Sequence, residues 1–182
     1  MGAIDIGPGA TDRTTTNIAG STHINLENPA NDTGTLTSFE IWVNTNCNNV
    51  KIGTFVVNGG DPTKYTGRDY ETVGSVTSGS KQTFSGLDCT VVTGDYLGVW
   101  YEDGAIEYDI SGKPGIYYKS GDQFGAGEQT YALHVGDSLS IYGTGTTGWA
   151  NIAKVMGATA TDLAKVNGVA VADIAKMNGV AV

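Results

Sequence analysis

The sequence predicts an all-β protein, a two-sheet antiparallel sandwich that is followed by a short array of repeats. Three observations predict it. Apolar and polar residues alternate through a series of short runs, the period-2 pattern of strands with one face inward. The gaps between runs are filled by Gly, Thr, Ser, Asn and Asp, with 27 glycines in all, which is turn chemistry. Between residues 1 and 148 no apolar stripe of 3.6-residue period is long enough for a useful helix, so βαβ units and a parallel sheet are disfavoured.

The runs follow one another at short intervals. The first fifteen residues, containing GAIDIGPGATD, fit either an added strand tucked into a sheet or a loose arm. In TSFEIWVN, Phe39, Ile41 and Val43 share one face and Ser38, Glu40 and Trp42 the other. VKIGTFVV, YETVGSV and KQTFSGL come next. In GDYLGVWYE, Leu97, Val99 and Tyr101 alternate with Tyr96, Gly98 and Trp100; aromatic residues on both faces suit a central strand or one covering a groove. AIEYDI, GIYYKS, QTYALHV and DSLSIYGTG follow, separated by the turns EDG, SGKPG, SGDQFGAG and VGD. Nine or so strands exceed the seven of a minimal immunoglobulin-like domain, so a jelly-roll or concanavalin-like sandwich is the expected form.

At 182 residues the chain is long enough for one ordinary domain and an appendage. The character changes at Gly148-Trp149, which divides a sandwich domain, 1–148, from a tail, 149–182. The tail reads NIAKVMGATAT, DLAKVNGVAVA, DIAKMNGVAV: Asn151, Asp162 and Asp173 recur every eleven residues, as do Lys154, Lys165 and Lys176. Asn or Asp suits a helix N-cap, the four residues after it make about one turn, and Asn-Gly supplies residues that end it. A single turn is too short to stand alone. The repeats are therefore expected to pack through Trp149, Ile152, Val155, Leu163, Val166, Ile174 and Met177, either on their own domain or in docking and self-assembly.

A net charge of −9 with ten basic residues would repel a phosphate backbone, which argues against nucleic-acid binding. The start MGAIDIGPGATDR lacks the basic residues and apolar run of a signal peptide, and no apolar stretch approaches a membrane span. The expectation is a chain that does not export itself, which a cytosolic protein or a virion component released by lysis both satisfy. Cys47 and Cys89 have no metal-ligand spacing; they fit two half-buried thiols or a single disulfide.

Candidate chemistry is sparse. Glu107-Tyr108-Asp109 resembles part of the Glu-x-Asp-x-x-Glu strand of concanavalin-like glucanases, but Ser111 and Gly112 stand where the third carboxylate would be. Retaining hydrolysis needs two carboxyl groups about 5–5.5 Å apart, so the pairing is incomplete. His23 and His134 are the only histidines and come with no nucleophile signature. Glu102, Asp103, Asp109, Asp122 and Asp137 lie at or near turns where oxygens can gather round calcium, although no EF-hand spacing is present and such residues mostly cap their own turns. No other cofactor is indicated. Asn31-Asp32-Thr33 is a glycosylation sequon. Aromatic residues are the better lead: Trp42, Trp100, Tyr101, Tyr117 and Tyr118 are candidates for a face that stacks on sugars or proteins, set against their equally natural use as core.

The stretch VGSVTSGSKQTFSGLDCTVVTGDYLGVWYEDG, with the LAKVNGVAVADIAKMNGV tail, resembles a group of uncharacterised jelly-roll-like sandwich proteins of phage genomes and environmental sequences, whose tails are of the IAKVNGVAVADIAKMNGV type. The resemblance implies a virion-associated or extracellular accessory protein and transfers no catalytic or ligand-binding residue. The expected function is thus a non-enzymatic structural or adhesion module that binds virion proteins, copies of itself or a surface glycan. Two alternatives are a carbohydrate-active enzyme or its binding module, and a surface filament subunit.

Overall fold

A computed structural model describes residues 3–147 together with 165–166 and 169–170. The described chain is all β, two antiparallel sheets packed as a sandwich, as the alternation predicted. The smaller sheet holds β1 (Ala3–Ile6), β12 (Ile141–Thr147), β4 (Gly34–Ile41) and β7 (Gln82–Val91) in that order. The larger runs β10 (Gln129–Thr130), β6 (Lys64–Val76), β5 (Val43–Val57), β8 (Tyr96–Trp100), β3 (Ser21–Asn25), β9 (Asp103–Ser120) and β11 (Ala132–Leu139), with β2 (Thr15–Ile18) paired to β9. The N-terminal residues are an added strand, since Ile4 and Ile6 are fully buried and Ala3–Ile6 pairs with β12.

Two of the predicted strands prove to be two strands each. TSFEIWVN crosses from the smaller sheet to the larger at Trp42, and DSLSIYGTG crosses back at Ser140. Alternation carries no mark of such a crossing, because the in–out order of side chains continues through it. The two crossings lie together: Trp42 N donates to Ser140 O at 3.0 Å, and Ser140 N donates to Glu107 O at 2.9 Å.

The space between the sheets is filled by one apolar cluster, including Ile4, Ile6, Leu36, Phe39, Ile41, Val43, Ile52, Leu97, Val99, Ile106 and Ile141. Cys47 and Cys89 belong to it as free thiols, which settles the choice between thiol and disulfide. A second cluster sits on the outer face of the larger sheet, where Ile24, Phe55, Tyr65 and Tyr117 are covered by Phe124 and Tyr131. The Phe55–Phe124 ring centroids are 5.1 Å apart and those of Tyr65 and Tyr117 also 5.1 Å. β8 lies between β5 and β3 as a central strand: Leu97 and Val99 face the inner cluster, while Tyr96 and Trp100 pack on the outer one. Gly98 makes this possible, because a Cβ there would stand 2.3 Å from the Phe55 ring.

In the tail, Lys165–Val166 (β13) pairs antiparallel with Val169–Ala170 (β14). This corrects the helical-turn reading for Lys165 and Val166. The Asn-Gly between the two strands is also the strongest two-residue hairpin signal, and it competes with a helix C-cap for the same dipeptide. The other proposed assembly residues, Trp149, Ile152, Val155, Leu163, Ile174 and Met177, lie outside the described residues.

Candidate functional site

The larger sheet has twice the strands of the smaller one. Register shows which of its side chains share the inner face. His23 pairs with Val99 and with Tyr118, and His134 pairs with Ile116, so these side chains share the face of the inner core. There they line a pocket of about 250 Å³, formed by Asn17 and Ala19 at β2, Ser21 and His23 of β3, Tyr108, Ile116 and Tyr118 of β9, and His134 and Asp137 of β11. Every lining residue comes from the larger sheet or its connections, and none from β1, β4, β7 or β12.

Both histidines of the chain are thus in one pocket, one deep and one at the rim. The His23 ring is 5 % exposed and stacks at 6.1 Å on the buried Tyr101, and its Nδ1 is buried with no hydrogen-bond partner. Burial pushes its pKa down to about 4, and the charge of a protonated His134 pushes the same way. His134 is exposed; its ring lies 4.3 Å from that of Tyr118, and its Nδ1 is 3.7 Å from Asp137 Oδ2. Tyr108 and Tyr118 are half-buried, and burial together with the nearby Asp137 charge raises the Tyr108 pKa. Lysine and arginine are missing from the lining. The result is a recess with two aromatic rings, neutral polar groups and one carboxylate, the usual mixture of a small-ligand site.

The predicted aromatic face is not assembled. Tyr101 is fully buried and its hydroxyl donates to Asn17 O at 2.9 Å, while Tyr117 is part of the outer cluster. These two are corrections: a tyrosine on an alternating strand reads the same whether its face meets a ligand or a second layer of protein. Trp100 is half-buried on the outer face with Lys51 Nζ 5.6 Å from its ring, and Trp42 is half-buried where β4 passes to β5. Of the five candidates only Tyr118 reaches the pocket. Sequence reasoning missed His23, His134 and Tyr108 as pocket residues, because they meet only through pairing of strands distant in the chain.

The glucanase-like pair is otherwise engaged. Glu107 is 4 % exposed and accepts from the Arg13 backbone N–H at 2.5 Å, and Asp109 is ion-paired with the Arg13 guanidinium. Arg13 Nε also donates to Ser140 Oγ at 2.7 Å, and that hydroxyl donates to Thr11 O at 2.5 Å. Both carboxylates thus fasten the segment before β2 onto the strand crossing.

The carboxylates considered for calcium are likewise dispersed. Asp103 holds Asn48 through its backbone N–H and side-chain amide, at 2.9 and 3.1 Å; Glu102 accepts from Asn49. Asp122 pairs with Lys51 and Asp137 lies in the pocket. Among the described residues no three His, Cys, Asp or Glu side chains are placed to share a metal ion. The Asn31 amide of the sequon is used within the fold, accepting from Asp5 N at 2.9 Å and donating to Ala3 O at 3.2 Å.

No protein-family model, curated protein or solved structure matches this chain.

Proposed function

We propose that the chain is a non-enzymatic adhesion module of a virion or other extracellular assembly, that it recognises a glycan in the pocket on the inner face of the larger sheet, and that its C-terminal repeats serve docking or self-assembly. The observation that carries the ligand part is the pocket itself. Tyr108 and Tyr118 offer ring faces and Asn17, Ser21, His134 and Asp137 offer hydrogen-bonding groups in a recess of about 250 Å³, room on the order of one sugar residue. The non-enzymatic part is supported by the engagement of Glu107 and Asp109 with Arg13, which leaves neither carboxylate free to act as a proton donor or nucleophile. The assembly and virion parts are supported by the eleven-residue repeat and by the resemblance that the sequence carries.

The test is binding of the full chain to a panel of immobilised glycans. The expected result is retention on a subset of the panel, weakened about tenfold by Tyr118→Ala, a loss on the order of 1.4 kcal/mol, with no reducing sugar released. Release of sugar that Glu107→Gln abolishes would overturn the reading in favour of a hydrolase.

A further inference from the structure

Asp137 is an unusual occupant of a strand-lined recess. Its side chain is 13 % exposed, and its carboxylate makes no hydrogen bond among the described residues; the nearest basic group is His134 Nδ1 at 3.7 Å. The carboxylate is left to solvent or a guest, since none of the pocket's own lining provides a permanent positive charge. His23 repeats the pattern deeper in the wall, with Nδ1 buried and unpartnered. Two tyrosines share the recess with the carboxylate: Tyr108 is close enough to feel its charge, and the Tyr118 ring lies 4.3 Å from that of His134, tilted against it. An aromatic-walled recess with one carboxylate and no cation favours a positively charged guest, through a charge-assisted hydrogen bond and the attraction of a cation to the ring faces. An anionic guest would meet Asp137 with nothing to offset it.

We propose that the pocket takes an amino sugar by its protonated amine, which sits between the Asp137 carboxylate and the rings of Tyr108 and Tyr118. This rests on the glycan reading above and narrows it to a class. It also makes His134 the competitor of the ligand, since protonated His134 supplies the charge that Asp137 lacks and repels a second cation. The titratable groups facing the site are His23 from β3, Tyr108 and Tyr118 from β9, and His134 and Asp137 from β11, with Tyr101 behind His23; the lining at β2, Asn17 and Ala19, is neutral. Burial keeps His23 neutral, with its pKa pushed down to about 4, so the competing charge is that of protonated His134.

Three probes separate the possibilities: methyl glucosaminide with a free amine, its N-acetyl counterpart, and methyl glucoside, each titrated into the full chain while the ring signals of His23 and His134 are followed by NMR. At pH 7 the amine is expected to bind about tenfold more tightly than either neutral probe and to shift the His134 signals. Asp137→Asn should remove that preference while leaving weak binding of all three, and His134→Asn, which takes away the competing imidazole, should tighten binding of the amine. Equal or weaker binding of the amine would overturn the amino-sugar assignment and leave the glycan reading standing. If none of the three probes shifts either histidine, both fall.

Discussion

The side chain of Arg13 is 9 % exposed and reaches Asp109, Ser140 and, through its backbone N–H, Glu107. Removing it leaves two carboxylates at a strand crossing without their cation. Because Asp109 is more than a third exposed, the full cost of a broken buried pair does not apply. Arg13→Ala is expected to lower stability by about 2 kcal/mol in urea unfolding, and Asp109→Ala by less. His23 gives a prediction in pH. Its folded-state pKa of about 4 lies below the ordinary value of 6.5, so the unfolded chain binds the proton more readily. The stability contributed by neutral His23 is complete above pH 6.5 and is lost as pH falls from there towards 4, by about 3 kcal/mol in total. Denaturant midpoints measured across that window should fall in the wild type, and His23→Phe should remove a large part of the fall. Burial pushes the Cys47 thiol up to about 11 and the Cys89 thiol up to about 12. Both should resist alkylation at pH 8 until the chain unfolds, and reducing agent should not change its melting temperature.

At the scale of elements, the segment after β9 is as much part of the core as a strand. Phe124 and Tyr131 close the outer aromatic cluster, and Phe124 is held in place by its backbone N–H donating to Asp122 Oδ1 at 3.0 Å. Phe124→Ala should cost about 3 kcal/mol and leave the inner core intact, seen as early loss of aromatic circular dichroism in a denaturant series. The sequence made the strands legible where alternation was strong, as in GDYLGVWYE, whose two aromatic faces do serve two cores. It left the crossings at Trp42 and Ser140 unmarked, because nothing in period-2 alternation says which sheet a strand belongs to. It also read SGDQFGAG as a plain turn, since one phenylalanine among glycines gives no sign that it is a lid on a neighbouring face. In the repeat, Lys165-Val166 could be read as helix or strand because Asn-Gly ends the one and links the other.

For the whole molecule, the proposed function rests on one recess of the larger sheet. The recess is lined by residues of β2, β3, β9 and β11 and their connections, an arrangement that neither composition nor spacing announces. The sequence did name Tyr118 and asked about both histidines, but their meeting depends on the pairing of β3 with β9 and β9 with β11. On the proposed reading the ligand meets this face, and not the Glu107–Asp109 pair or the outer aromatic cluster. The most direct measurement is chemical-shift mapping of the full chain with a glycan drawn from the panel. Shifts are expected to be confined to Ser21, His23, Tyr108, Tyr118, His134 and Asp137 and their strand neighbours. Shifts centred instead on Tyr70, Trp100 and Phe124, with the histidines unmoved, would contradict it.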